Sequence, residues 1–366
     1  MQSSSGDHFI ALDHIRALAA FLVCAWHFLH GRSGFPVQFN FGPAVFPLSL
    51  FDEGHTGVAL FMCLSGYLFA KLLNGKALHY GRFIWNRALR LLPLLLVVIV
   101  LAGAKHVWSQ SGPISEFLTP VALGFVHPTL PNGGWSITVE FHFYLVLPIL
   151  LWLMYQSRWT LVALIALSTA IRIILYARYG EVQFYSYWTI AGRIDQFVLG
   201  MLAFNLRSFF SFRHALAMSI IAAFGAFYWF FDVSGGFYNM PTYPSPAALW
   251  IFMPTIEGAA YGSIIAWYDS SFFFKKTGLS RFVSQLGAYS YSIYLLHFFI
   301  VFRVSGLIHE YVMDISNFYI ALLWSLAFYI FMMPIGYLSF RFVEAPFLRL
   351  RTPYTKPIKD AKPIKG

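Results

Sequence analysis

The stretch LDHIRALAAFLVCAWH, residues 12–27, decides how this chain is read. Apart from Asp13, His14, Arg16 and the closing His27 it is apolar or small. With its flanks, over about 9–30, it reaches the roughly 20 residues that a helix needs to cross a bilayer core. An arginine inside such a segment costs about 2.5–3.5 kcal/mol on insertion scales, so Arg16 needs either a partner or a function. Arg16 and His27 are eleven positions apart. At 100° per residue that is about three turns, which puts both side chains on one helix face, about 16–17 Å apart along the axis. Asp13, three residues before Arg16, lies within pairing reach of it.

The same apolar character runs through all 366 residues. Hydrophobic residues make up 58% of the chain and charged residues 11%, against about 25% charged in a soluble domain. So few charges cannot cover a water-facing surface, and forty Phe with eleven Trp need apolar surroundings. A soluble enzyme, a disordered scaffold and a secreted disulfide module are excluded. The pattern predicts an all-α polytopic membrane protein of about ten helices, near 9–30, 56–73, 83–104, 136–155, 159–178, 186–206, 214–231, 247–268, 285–305 and 317–341. The first segment follows no basic n-region and ends in no small-residue cleavage site, so it is expected to stay in the protein. Cys24 and Cys63 lie in apolar runs and read as small core residues.

With the N-terminus inside, eighteen Lys and Arg residues fall on the cytoplasmic side and four, Arg32, Lys105, Arg178 and Arg303, on the other. This asymmetry predicts that both termini are cytoplasmic. The net charge of +10 then reports topology and attraction to anionic lipid, not nucleic acid. Residues 1–351 form the expected membrane-embedded domain, and 352–366 a disordered, basic cytoplasmic tail. In the long external stretch 105–135, the apolar run Phe117–Val126 is too short to span and is expected to be re-entrant or interfacial.

Ionisable residues within spans are functional candidates by default: besides Arg16 and His27 they are Glu140, His142, Arg172, Arg193, Asp195, Glu257 and His297. Glu140, about five residues into the fourth helix, is expected in the outer half at a depth like that of His27. His142 projects from the opposite side of that helix. Arg193 is a competing partner for Glu140. Arg87 and Arg90, three apart in NRALRLLP (86–93), share a face at a cytoplasmic helix start. They read either as flanking positive charge or as a phosphate site, which Arg binds bidentately. Walker A, dinucleotide, G-x-S-x-G, H-E-x-x-H and C-x-x-C motifs are all missing. HEYVMD (309–314) fits an H-x4-D acyltransferase pattern, but in an external loop away from cytoplasmic donors.

Several blocks in order resemble the integral-membrane acyltransferases of family three. They are LDHIRALAAFLVCAWH (12–27), GVALFMCLSGYLFA (57–70), NRALRLLP (86–93), WSITVEFHFYLVLP (135–148), GRIDQFVLG (192–200), LGAYSYSIYLLH (286–297) and FRFVEAPFLRL (340–350). Phe141 stands where the family often has an acidic residue, and His142 where Gln is common. The resemblance implies a bacterial inner-membrane enzyme, a stand-alone version without the esterase-like extracytoplasmic domain of some members. It would move an acyl group, most often acetyl, from cytoplasmic acyl-CoA to a hydroxyl of a surface or exported carbohydrate or glycolipid, with no metal. On that reading His27 is the general base, Glu140 orients its imidazole as a triad carboxylate does, and Arg16, Arg87 and Arg90 hold the CoA phosphates. The 16–17 Å from Arg16 to His27 is about the reach of a pantetheine arm. A covalent acyl-His intermediate is the mechanistic alternative, and His297 is expected to be structural. The competing function is a carrier or flippase for a lipid-linked sugar or acyl group, with buried charges lining its path.

Overall fold

The computed structural model describes residues 9–31 and 33–357. Arg32 and the segment 358–366, with Lys359, Lys362 and Lys365, lie outside the described residues. The architecture is an all-α bundle. In lipid no water satisfies backbone groups, and a helix satisfies its own. Helices α1 (Ile10–His30), α2 (Gly57–Leu73), α3 (Tyr80–Trp108), α5 (Trp135–Gln156), α6 (Arg158–Tyr179), α9 (His214–Val233), α10 (Leu249–Ser271), α12 (Ser290–Tyr311) and α13 (Phe318–Ser339) belong to the nine segments, among the described residues, that are long and apolar enough to cross a membrane. Between α3 and α5 lies the short α4 (Ile114–Ala122), where an interfacial or re-entrant piece is expected. It lies on the surface, with Phe117 against Gly103 of α3.

The tenth expected span is not among these nine. Residues expected to form one helix over 186–206 are split into α7 (Gln183–Trp188) and α8 (Ile190–Asn205), with the Thr189 hydroxyl capping α8 through Gly192 N at 3.1 Å. Helix α8 has 16 residues and carries Arg193, Asp195 and Gln196, all buried. It lies in the middle of the bundle, against α2, α6 and α10. Gly66 and Gly200 allow this: a Cβ at Gly66 would collide with the carbonyl of Phe197, and one at Gly200 with that of Cys63. Small residues let two membrane helices approach backbone to backbone.

Arg172 of α6 anchors this centre with every guanidinium N–H donated. Nε donates to Ile251 O (2.6 Å), Nη1 to Gly192 O (2.6 Å) and Ser168 Oγ (3.3 Å), and Nη2 to Asp195 Oδ2 and Thr255 Oγ1 (both 2.8 Å) and Thr169 Oγ1 (3.1 Å). Glu257 accepts from Thr56 and Tyr228 (both 2.7 Å) and from Gln196 Nε2 (2.8 Å). Large apolar side chains such as Val100, Ile149, Ile174 and Leu323 stay exposed on the bundle's outside, as a lipid-facing surface requires.

The connections sort onto two ends. One, the basic end, gathers the start of α1, where His14 bonds Tyr268 and Ser280 O (3.0 Å each), the ion pair Lys71–Asp269 (2.6 Å), and α11 (Gly278–Ala288). It also holds a two-stranded antiparallel clasp, β1 (Lys76–Leu78) with β2 (Thr355–Pro357), in which Ala77 faces Lys356. Within the expected tail, β1 supplies ladder partners to Thr355–Pro357. The opposite end gathers the 33–55 and 234–248 loops, where His30 bonds Asp52 O (2.9 Å) and Gln183 donates to Phe237 O (2.9 Å).

Candidate active site

Three cavities lie in file between the two ends. The first, about 180 Å³, opens at the basic end and is lined by Asp13, Arg16, Arg87, Arg90, Glu140, Tyr144, Arg351 and Tyr354, among others. The second, about 90 Å³, shares Phe61, Ser65, Glu140 and Tyr291 with the first and adds Ser136, Phe197 and Tyr294. The third, about 240 Å³, shares Val58 and Tyr294 with the second and holds His27, His55 and His297 within walls of Trp26, Trp135, Tyr187, Trp188, Phe237 and Tyr238. The sequence places Arg16 and His27 on one face of α1, and they mark the two extremes of this file.

The arginines gather as the sequence suggests. Arg16 makes an ion pair with Asp13. Arg90 makes one with Glu344 (2.5 Å), whose other oxygen takes the hydroxyl of Ser292. Arg87 projects among aromatic rings, 5.4 Å from the centroid of Phe69 and 5.5 Å from that of Phe83.

Glu140 lies apart from His27. No hydrogen bond or ion pair joins it to His27 among the described residues; it accepts the hydroxyl of Tyr144, one turn along its own helix, where the first and second cavities meet. The two differ in depth. The turn at 131–134, with Asn132 and Gly133 at positive φ, dips into the bundle before α5 begins. Ser136 consequently already meets Tyr294 (2.8 Å), and Glu140 lies level with Tyr291, about 9 Å along α12 from His297. The alternative partner, Arg193, is occupied by Tyr187 O (2.5 Å) and Gln196 (3.0 Å) and packs on the Tyr187 ring. His142 ties α5 to Phe125 O (2.8 Å).

The group beside His27 is His297, Nδ1 to Nε2 at 3.1 Å. Its partners assign the tautomers. His27 Nδ1 also faces its own Val23 O (3.0 Å), and His297 Nδ1 faces Ile293 O (3.1 Å). Carbonyls only accept, so both Nδ1 atoms carry the proton. His27 Nδ1–H is then shared between Val23 O and the lone pair on His297 Nε2. The lone pair left on the half-buried His27 is on Nε2, beside the third cavity. Sequence reasoning missed this neighbour because no spacing relates two helices 270 residues apart. The only signal was that His297 is itself an intramembrane ionisable residue.

A file of cavities thus runs through an all-α membrane bundle, with arginines at one end and a histidine pair at the other. The model of one family, described as the acyltransferase domain of acyltransferase family three, matches residues 9–341, and the chain belongs to that family. It is similar to a Komagataeibacter xylinus protein provisionally named membrane-bound transacylase BcsY, with 26% identity over 278 residues, 67% of this chain. The match covers 65% of that relative's length. No solved structure matches the chain.

Proposed function

We propose that this multi-pass membrane acyltransferase takes an acyl group, acetyl in the simplest case, from acyl-CoA at the basic end and esterifies a hydroxyl of a carbohydrate or glycolipid from the other. The observation that carries the reading is the file of cavities from the arginines to His27. The basic end is the cytoplasmic one, following its Lys and Arg content. Arg16, Arg87 and Arg90 hold CoA phosphates, and the pantetheine arm runs past Glu140 and Tyr144 towards Tyr294. His27 Nε2 takes the proton of the acceptor hydroxyl as its oxygen attacks the thioester carbonyl. The C–S bond breaks, and the same proton leaves on the CoA thiol. His297 Nε2, accepting from His27 Nδ1–H, steadies the imidazolium, the part first assigned to Glu140. Glu140 instead lines the path and offsets part of the arginine charge. The aromatic walls of the third cavity suit the apolar faces of a sugar ring.

The test is transfer of radiolabelled acetyl from acetyl-CoA to glycan in inverted vesicles carrying the protein. Label that crosses the membrane without forming an ester would instead support a carrier. Reporter tags after residue 208 and near residue 238 are expected on the cytoplasmic and external sides respectively; the reverse would invert the donor and acceptor ends.

A further inference from the structure

The first cavity has a wall that comes from beyond the last spanning helix. Asn86, fully buried near the start of α3, donates Nδ2 to Thr352 O (2.7 Å) and accepts Thr352 N at Oδ1 (3.1 Å). His79 N donates to Tyr354 O (2.8 Å), and the β1–β2 ladder follows at once. Tyr354 is buried with its ring 5.6 Å from that of Phe83, and Arg351 faces the same cavity as Arg87 and Arg90. Burying a side-chain amide to bind a loop backbone on both its groups fixes that loop's position and register.

The charge balance of the cavity is uneven. Asp13 answers Arg16 and Glu344 answers Arg90. Among the described residues no ion pair joins Arg87 or Arg351 to a carboxylate, and the Nε of each is buried without a hydrogen-bond partner. Burial, with Arg87 and Arg90 close by, pushes the Arg351 guanidinium down to about 9. It stays cationic at neutral pH, and an anion seated there would offset the burial and like-charge repulsion that lower it. Two adjacent guanidiniums with open donors match the geometry of a phosphate ester.

We infer that residues 351–354 form a wall of the donor site and that Arg351, with Arg87, seats a phosphate group of acyl-CoA. This rests on the acyl-CoA reading above. Asn86 is the positioning residue: next to Arg87 in sequence, it sets the loop against the helix that carries the other arginines.

The experiment titrates CoA into the full-length protein in lipid nanodiscs. Arg351→Ala is expected to weaken CoA binding about ten- to a hundredfold. Arg351→Lys, which keeps the charge but loses the planar fork, should fall between the two, and Asn86→Ala should weaken binding with Arg351 still present. Lys276→Ala, a basic residue outside the cavity, should bind as wild type. A monodisperse Arg351→Ala protein that binds CoA as wild type does overturns the inference, and that is also the result if Arg351 serves a lipid headgroup. A wild-type protein that binds no CoA removes the donor reading and the inference together, which separates the two failures.

Discussion

Arg172 and the pair Arg87–Arg351 are all arginines within or against the bundle, and they are treated in opposite ways. Arg172 gives every N–H to a protein acceptor and pairs with Asp195, in a layer shared by α6, α8 and α10. Arg87 and Arg351 each keep an Nε without a partner and face a cavity. A buried cation whose partners are all protein is part of the scaffold. One left incomplete beside open space has room for a further acceptor, which is the basis of the phosphate-site proposal. Burial of charge by itself therefore does not separate these arginines; what does is that the protein fills every N–H of Arg172 and leaves the Nε of Arg87 and Arg351 open.

The comparison can be broken most severely at its far end. His27→Gln keeps size and hydrogen bonding but cannot accept a proton at neutral pH. It is expected to lower turnover about 10²–10⁴-fold with unchanged thermal stability in detergent; an active, well-folded variant would remove the base. Arg172→Met should do the reverse, because it leaves Asp195 buried and unpaired. A loss of about 3–5 kcal/mol of stability is expected, seen as a lower melting temperature with turnover per folded molecule retained. A stable but inactive Arg172→Met would show that the scaffold layer takes part in chemistry. Arg87→Ala should raise the KM for acetyl-CoA about ten- to a hundredfold, losing a contact of about 1.5–3 kcal/mol, and leave melting nearly unchanged. The smallest effect separates two versions of one residue. His297→Gln offers a carboxamide oxygen near the position of Nε2 and should keep most activity, while His297→Leu should cost about tenfold in kcat, one hydrogen bond of about 1–1.5 kcal/mol. Equal rates in the two would leave His297 as packing alone.

Much of this was legible in the sequence, for local reasons. Apolar length identified the spanning helices, and the eleven-residue spacing in α1 put Arg16 and His27 at opposite ends of one file. The three-residue spacing of Arg87 and Arg90 likewise gave their shared cavity. What failed needed distances between elements. Depth counted from a helix start misplaced Glu140, because the turn at 131–134 sinks before α5 begins. Asp195 and Glu257 were intramembrane ionisable residues without an assigned role until their partners, Arg172 for one and Thr56, Gln196 and Tyr228 for the other, came into view. Arg351 counted as topology, since nothing in its neighbourhood says that Asn86, 266 residues away from Thr352, holds the adjoining backbone.

That pairing of Asn86 with Thr352 also sets an order of events during synthesis. Every described helix long and apolar enough to cross a membrane precedes residues 351–354 in the chain. The wall that Arg351 and Tyr354 give the first cavity is translated only after them. The membrane-spanning helices and the completed first cavity thus draw on different stretches of the chain, the cavity's last wall coming after the final span.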